Sequence, residues 1–323
     1  MNRPSGWVSP LAIRPRLMLE AVSEMVAQPD WSYMRSRLTI DDQTGAHEEA
    51  FSFVGTQDPA VIAEVVRGDV HVSMLNPSAM LTLAARGTGP FSEPQPIAPI
   101  GIIPSYDQLA FAVSPESGVT SLDQIREDKV PLRISVRGSA DPATSLLVNE
   151  VLRAHGFGFE DIERWGGHVS YDQALPNDPT RLGAIERGEL DAVCEEAVNS
   201  WVNRAAEMGM RFLPVSGEPL KRLTDQGFRA ASLQTSRFPE LSEDVPTIDF
   251  SGWPIYTAAR APDHLITAFC WALEARKDRI TWDPRETSPL PLERMCNDAD
   301  DAPLEVPLHP AAERVWRELG YLH

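Results

Sequence analysis

Two adjacent glutamates, Glu195 and Glu196, are the residues of this sequence best suited to ionic or acid–base chemistry. They follow a short apolar run, so they stand where a buried strand would end. An acidic group there would attract a cationic or amine-bearing ligand, or act as an acid or base if burial raised its pKa. The alternative is a solvated start to the following helix, where negative charge is favourable. Because side chains alternate along a strand, we expect only one of the two to enter a site.

A second candidate lies after the apolar run 132–136, where Arg137 precedes a Gly-Ser pair and then a helical stretch. Such a strand–glycine–helix junction forms an anion site when backbone N–H groups and the positive helix end face the ligand. The Arg137 guanidinium could pair in bidentate fashion with a ligand carboxylate. A structural ion pair with Asp141 is the alternative interpretation.

Polar residues at other predicted strand ends could complete a ligand site. Asn76 and Ser78 follow the apolar run 70–75, and their amide and hydroxyl groups suit the orientation of a polar ligand. Tyr106 comes just before another apolar run, where an aromatic lid and a surface turn are equally compatible with the sequence.

Reactive side chains elsewhere favour structural interpretations. Cys194 could be a nucleophile, but no group near it in sequence would activate it, so a buried thiol is favoured. His71 lies inside a predicted strand, a position typical of a core histidine. The segment 47–49 (His-Glu-Glu) lacks the second histidine of H-E-x-x-H, so we expect no metal. Dinucleotide-binding and phosphate-loop fingerprints are absent from the sequence, and we expect no cofactor.

These candidates are positioned by a unit that the chain uses twice. In residues 60–76 and again in 181–196, an amphipathic stretch runs into Arg-Gly, an acidic residue and a short apolar strand. In an open α/β sheet, ligands bind outside the carboxyl ends of the strands. The repetition therefore predicts two similar lobes that face each other across a cleft.

The lobes are predicted to be interleaved along the chain. We assign residues 1–112 plus 250–323 to lobe 1 and residues 113–249 to lobe 2. The first crossing strand is expected at 109–113, and the return crossing within 246–259. Helices are predicted over residues 15–28, 142–155, 262–277 and 310–319.

Bulk composition limits the partners. The chain has 323 residues and a formal net charge of −18, which disfavours nucleic acid and anionic membrane. It has no run of the roughly 18 apolar residues that a membrane span needs. Its three cysteines are too widely spaced for a disulfide framework. The first ten residues contain neither an apolar h-region nor a small-residue cleavage site, so we expect a cytoplasmic protein, or a periplasmic one if a leader has been removed.

Several short motifs occur in an order that is typical of one family. They are Gly87-Thr-Gly-Pro-Phe91, Ser121-Leu-Asp-Gln-Ile125, Arg211-Phe-Leu-Pro-Val215 and Val306-Pro-Leu-His-Pro-Ala-Ala-Glu-Arg314. From about residue 60 onward, the chain resembles the TAXI class of solute-binding proteins of TRAP transporters. That class shares the type II periplasmic-binding-protein fold with the NMT1-like proteins.

The resemblance implies an α/β protein of two lobes, joined by two crossing strands, that closes on a small organic acid or amino acid. It also implies that Thr56, Ser139 and Thr144 belong to the ligand site, although ordinary helix capping is the alternative for the last two. The chain departs from the family near its start, where a Ser-Thr-Gly-Gly loop is missing. It departs again at 195–196, where relatives carry apolar or small residues.

We therefore predict a protein that binds a small polar organic acid or amino acid and that could form a homodimer. The alternative is an enzyme on the same scaffold, a decarboxylase or related lyase acting on an aromatic or hydroxy acid. Its acid, base or nucleophile would be Glu195, Glu196, His71 or Cys194. A third interpretation is an interaction or regulatory module that has lost its ligand site.

Overall fold

The computed structural model describes residues 12–26, 35–41, 50–56, 58–138, 142–282 and 289–322. The strands are β1 (Ser36–Ile40), β2 (Phe51–Gly55), β3 (Val72–Met74), β4 (Ile97–Ile103), β5 (Ala110–Val113), β6 (Arg133–Arg137), β7 (His168–Asp172), β8 (Ala192–Glu195), β9 (Arg211–Phe212), β10 (Ala230–Leu233), β11 (Val245–Ile248) and β12 (Trp253–Ala258).

The α-helices alternate with these strands along much of the chain. They are α1 (Ile13–Val26), α2 (Val61–Arg67), α3 (Ser78–Arg86), α4 (Leu122–Glu127), α5 (Pro142–Ala154), α6 (Phe159–Arg164), α7 (Leu182–Glu186), α8 (Val202–Glu207), α9 (Gly217–Gln226), α10 (Asp263–Arg276), α11 (Leu292–Cys296) and α12 (Pro310–Glu318). No helix in the described ranges is both long enough and apolar enough to cross a lipid bilayer.

The strands form two five-stranded mixed sheets and a separate two-stranded ribbon of β10 and β11. The first sheet has the order β1-β2-β3-β12-β4, and the second has the order β7-β6-β8-β5-β9. In the second sheet β6 runs parallel to both β7 and β8, whereas β5 runs antiparallel to β8. The predicted α/β fold class, with two sheet-based parts joined by two crossings, is confirmed.

Both copies of the repeated unit form the predicted helix, glycine turn and strand. Helix α2 ends at Arg67 and is capped by Gly68, whose φ of 92° is the left-handed conformation that glycine adopts without a steric penalty. Arg67 is 2.8 Å from Asp69, and Arg187 is 2.7 Å from Glu189, in equivalent ion pairs. The basic–Gly–acidic pattern therefore places an exposed ion pair across the turn in each copy.

The crossings differ from the predicted ones in position. The chain leaves the first sheet after β4 and returns to it at β12, so the crossing segments are residues 104–109 and 249–252. The predicted crossing at 109–113 is wrong, because its last four residues form β5 of the second sheet. The predicted return at 246–259 contains two strands, one in the ribbon and one in the first sheet. The lobe boundaries at residues 112 and 250 stay a prediction.

The two crossings are joined to each other and to helix α3. Gln108 and Asp249 form a bridge between them, and the Gln108 side-chain amide donates to Asp249 at 3.1 Å. Gly252 has a φ of 79°, and a Cβ there would lie 2.4 Å from the Ser78 hydroxyl oxygen. Only glycine fits this position without displacing its neighbours.

The part of the chain with the first sheet and the part with the second sheet are also in contact outside the crossing segments. The Thr88 hydroxyl, in the loop after α3, donates to the Gln226 carbonyl at the end of α9 at 2.7 Å. Arg229 beside β10 contacts Glu305 at 2.6 Å and Asp298 at 2.7 Å in the C-terminal segment. These contacts bring the two sheets together beside the crossing segments.

Candidate functional site

The crossings connect the carboxyl ends of both sheets. In the first sheet β4 runs parallel to β3, since both are antiparallel to β12, and the chain leaves from the carboxyl end of β4. In the second sheet Ala110, at the start of β5, pairs with Glu195, at the end of β8. The edges of the two sheets at which ligands bind in open α/β folds therefore meet at the crossings.

Three neighbouring strands of the second sheet end in charged residues. The parallel strands β7, β6 and β8 end at Asp172, Arg137 and Glu195. Their side chains, with Ser135, Glu196 and Arg181, form a hydrogen-bonded network, which we call the carboxyl-edge network. The sequence predicted the charged groups at the ends of β6 and β8, but neither β7 with its Asp172 nor the pairing among these groups.

Arg137 binds both glutamates of the predicted pair. Its Nε donates to Glu195 Oε1 at 3.1 Å, and its Nη2 donates to Glu196 Oε1 at 2.8 Å. Glu195 is completely buried and Glu196 is 4% exposed. The two glutamates therefore do not form a solvated start to a helix. The alternative partner of Arg137, Asp141, lies outside the described residues.

The expectation that only one glutamate enters the site is wrong. Both carboxylates reach Arg137, because strand β8 ends at Glu195 and alternation stops there. The next residue but one, Ala197, has a φ of 57°, which is uncommon for a residue with a side chain. Glu196 thus lies between the end of the strand and this turn, and its carboxylate reaches the same guanidinium as that of Glu195.

Arg181 completes the network, and the sequence interpretation missed it. Its side chain is fully buried, and its Nη1 donates to Glu195 Oε2 at 2.7 Å and to the Ala174 carbonyl at 2.9 Å. Its Nε donates to the Ser135 hydroxyl at 2.7 Å. No pattern in the sequence indicates its burial, since an arginine at the start of a short helix can equally be solvated.

The buried carboxyl groups have displaced pKa values. Burial, and then the charge of Glu196, raises the pKa of Glu195 well above its ordinary range, and the two arginines oppose this shift only in part. Burial also tends to raise the pKa of Glu196. The neighbouring Glu195 carboxyl group, the Arg137 charge and the Thr144 hydroxyl outweigh that effect, and the net shift is downward. The two groups titrate as a pair in which Glu195 holds a proton more tightly.

Thr144 lies in the first turn of α5, next to Glu196. Its side chain is fully buried. Among the described residues, neither its Oγ1 nor Glu196 Oε2 has a hydrogen-bond partner of ordinary geometry. Ser139, the other predicted donor at this helix, lies outside the described residues. The network, Thr144 and the start of α5 thus form the second-sheet side of the candidate site.

Asp107 connects this side to the crossings. Its carboxylate accepts the N–H groups of Ala197 at 2.9 Å and Val198 at 3.1 Å, and its carbonyl accepts the Ser251 hydroxyl at 2.9 Å. Burial, and then the charge of Glu196, raises the pKa of Asp107 to about 7 against the lowering effect of these N–H groups. The pKa of a buried residue in the first crossing segment therefore lies near neutrality.

This shift predicts a pH dependence of stability. Because the folded pKa of Asp107 is about 7 and its ordinary value is 3.8, the folded state binds its proton more tightly. The stabilising contribution is present below about pH 4 and is lost as the pH rises through 7. Unfolding in urea should show that the stability of the wild type relative to Asp107→Asn declines between about pH 4.5 and about pH 7.5, by up to roughly 1.4 kcal/mol per pH unit. Parallel pH profiles of the two proteins would contradict the assignment.

The first-sheet candidates are placed less favourably for direct ligand contact. The Thr56 hydroxyl accepts the Asp58 N–H at 3.1 Å, so it is used in the turn before α2. Ser78 is buried behind Gly252, and its N–H donates to the Ser251 carbonyl at 3.2 Å. Asn76, which is partly exposed, precedes a cis proline at the carboxyl end of β3.

Tyr106 lies in the first crossing segment, beneath a guanidinium. The Arg237 carbon Cζ is 3.7 Å from the centre of the tyrosine ring, a cation–π contact. Arg237 also donates to the Asn199 side chain at 3.1 Å. The tyrosine ring thus packs against Arg237, in the part of the chain that contains the second sheet, and Tyr106 does not lie in an isolated surface turn.

Two candidates for acid–base or nucleophilic chemistry lie in structural positions. Cys194 is fully buried within β8, and burial, with the charge of Glu195, raises the pKa of its thiol well above the ordinary value. His71 accepts the Ser52 N–H at Nδ1, and its ring contacts the Phe51 ring edge-on at 5.2 Å. It precedes β3, so it lies at the opposite end of that strand from Asn76. Neither belongs to the carboxyl-edge network.

Comparison with models of known protein families identifies the family of this chain. The NMT1-like family matches residues 60–320, which is most of the sequence. The chain belongs to the NMT1-like family. This confirms the NMT1-like part of the predicted resemblance. No curated protein matches the chain.

Solved structures of binding proteins give weaker likenesses. The alkanesulfonate-binding protein SsuA from Xanthomonas axonopodis pv. citri, bound to MOPS, is 15% identical with a TM-score of 0.33, and the match covers 67% of this chain and 59% of SsuA. Iron-bound HitA from Pseudomonas aeruginosa is 16% identical with a TM-score of 0.30, covering 81% and 86%. The unliganded L-cystine solute receptor of Neisseria gonorrhoeae is 14% identical with a TM-score of 0.27, covering 69% and 68%. Likenesses at this level carry no weight for the ligand of this chain.

Proposed function

We propose that this NMT1-like chain is a solute-binding protein of the TAXI type, and that it holds a small polar organic acid or amino acid between its two halves. One observation carries the proposal: the two crossings join the carboxyl edges of both sheets. Asn76 stands at one edge, and Arg137, Thr144 and Glu196 stand at the other. Polar groups gathered where two sheets face each other are typical of a small-molecule site.

The enzyme alternative has one observation in its favour, the displaced pKa values of the glutamate pair. However, both oxygens of Glu195 are already bound, Oε1 by Arg137 and Oε2 by Arg181. A general acid or base must reach the reacting proton directly or through one water. Glu195 is therefore better suited to fixing the two arginines than to proton transfer, and Cys194 is too deeply buried to attack a substrate.

A ligand screen by thermal unfolding tests the proposal. Amino acids and small organic acids would be added singly to the purified chain, with uncharged polyols as the control set. A ligand present at about 100 times its Kd stabilises the folded state by about 2.7 kcal/mol, which raises the unfolding temperature measurably. We expect at least one amino acid or organic acid to do so and the polyols to do nothing. Equal or absent shifts throughout would contradict the proposal.

Location and assembly stay predictions alongside this function. A cytoplasmic setting and a homodimer were expected from the sequence, and fractionation of the source cells and sedimentation equilibrium would test them. Helix α1 gives the dimer some support, because all of its large apolar side chains are exposed, Leu17 at 66% and Met18 at 61%.

A further inference from the structure

The predicted anion-binding position at the end of β6, beside Arg137 and the start of α5, is already occupied by a side chain of the protein. A ligand carboxylate bound there would be expected to meet the Arg137 guanidinium, the Thr144 hydroxyl and the start of α5. In the structure Glu196 meets these groups: its Oε1 accepts from Arg137 Nη2 at 2.8 Å, and its carboxylate lies beside Thr144. A free acid would have to displace this buried side chain.

Glu196 is held in that position by its backbone as well as by its side chain. Its carbonyl accepts the Trp201 indole N–H at 2.9 Å, and Trp201 is almost fully buried. The next two N–H groups, of Ala197 and Val198, donate to Asp107. The carboxylate is therefore a fixed part of the site and not a side chain that swings aside at low cost.

Two charged side chains of the network keep a buried polar atom without a partner among the described residues, the donor Arg181 Nη2 and the acceptor Glu196 Oε2. Arg181 is 0% exposed and lies behind Glu195, whereas Glu196 keeps some exposure, so Glu196 is the side chain nearer to a ligand. Glu196 Oε2 has no hydrogen-bond partner within the part of the chain that the structure describes, although its residue is 4% exposed. The carboxyl-edge network contains three acidic side chains, Asp172, Glu195 and Glu196, and two arginines. The buried Glu196 carboxylate oxygen can accept a hydrogen bond from a ligand ammonium group, whereas a ligand carboxylate beside it would be repelled.

We propose that Glu196 sets the specificity of the site: it takes the place of a ligand carboxylate at Arg137 and selects ligands that carry a protonated amine, amino acids among them. This inference rests on the proposed solute-binding function. It narrows the ligand class from polar acids in general to amine-bearing solutes. Arg137 is then a positioning residue for Glu196 and does not itself pair with the ligand.

Matched pairs of probes test this directly. Isothermal titration calorimetry would compare each amino acid with the same acid lacking its amine, using L-alanine and propionate, L-norvaline and valerate, and L-glutamate and glutarate. Putrescine would serve as an amine without a carboxylate. For the wild type we expect the amine-bearing member of the best-bound pair to bind at least about tenfold more tightly. The variant Glu196→Gln should lose most of this preference and bind the plain acid more tightly than the wild type does.

The control variant is Glu186→Gln, on the same half of the molecule, where Glu186 forms an exposed ion pair with Arg204. It should keep the wild-type preference. Equal affinities of wild type for the two members of a pair, or a preference that Glu196→Gln leaves unchanged, would overturn the inference while leaving the solute-binding proposal in place. If no probe binds either protein, the proposed function fails and the inference fails with it. If Glu196→Gln does not fold, equal wild-type affinities within each pair still overturn the inference.

Discussion

Replacing Arg181 by leucine should lower the free energy of unfolding by about 3–5 kcal/mol, measured by urea denaturation at neutral pH. The reason is that the guanidinium is fully buried and donates to Glu195, Ser135 and the Ala174 carbonyl. Its removal leaves Glu195 Oε2 in the interior without a cation. Removing one member of a buried ion pair costs far more than the pair itself contributes, because the remaining charge has lost its solvation.

A surface arginine is the matched control for this prediction. Arg204 pairs with Glu186 at 2.6 Å, but both side chains are about half exposed, and Arg204→Leu should cost less than about 1 kcal/mol. The double variant Arg181→Leu with Glu195→Gln should recover part of the loss, since no unpaired charge is then buried at that position. A loss below about 1 kcal/mol for Arg181→Leu would show that the network contributes little to stability.

Replacing Trp201 by alanine should be similarly destabilising, by about 3–5 kcal/mol. The indole is 1% exposed, it lies 5.9 Å from the Phe212 ring centre, and its N–H binds the Glu196 carbonyl at 2.9 Å. The substitution creates a cavity and also leaves that carbonyl without its donor. We expect urea denaturation to show the loss, and Trp201→Phe to show a smaller one of roughly 1–2 kcal/mol from the missing hydrogen bond and reduced volume.

Trp271 provides the control within the same chain. It lies on α10 and is 41% exposed, so Trp271→Ala should change the free energy of unfolding by less than about 1 kcal/mol. If the two tryptophan variants lost equal stability, Trp201 would not be the anchor of the turn that carries Glu196.

Much of the fold was accessible from the sequence because local patterns agreed with the tertiary structure. Helices α5, α10 and α12 occur within a residue or two of the predicted ranges, where apolar spacing and flanking prolines or glycines act together. The repeated basic–Gly–acidic unit was predicted on the same grounds. The ribbon of β10 and β11 was not, since residues 227–245 lack a clear alternation and the two strands depend on each other for pairing.

For the candidate site, the sequence predicted which residues stand at strand ends but did not predict how they pair; their role in ligand binding stays a prediction. Strand ends identify Arg137, Glu195 and Glu196, because the carboxyl edge of a parallel sheet is a property of topology. Which cation meets which carboxylate depends on side-chain directions after the strand has ended, and β8 ends at Glu195, so the alternation that the prediction assumed does not extend to Glu196. Arg181 was not predicted to belong to the site, because the periodicity of a helix in the sequence does not indicate which charged residue is buried.

The most direct test of this account is a crystal structure of the chain soaked or co-crystallised with the best-bound amino acid from the calorimetric panel. The account predicts ligand density between the carboxyl edges of the two sheets, with the ligand ammonium within hydrogen-bond distance of Glu196 Oε2 and the Arg137–Glu196 pair intact. A ligand bound elsewhere on the molecule, or a ligand carboxylate seated on Arg137 with Glu196 displaced, would contradict it.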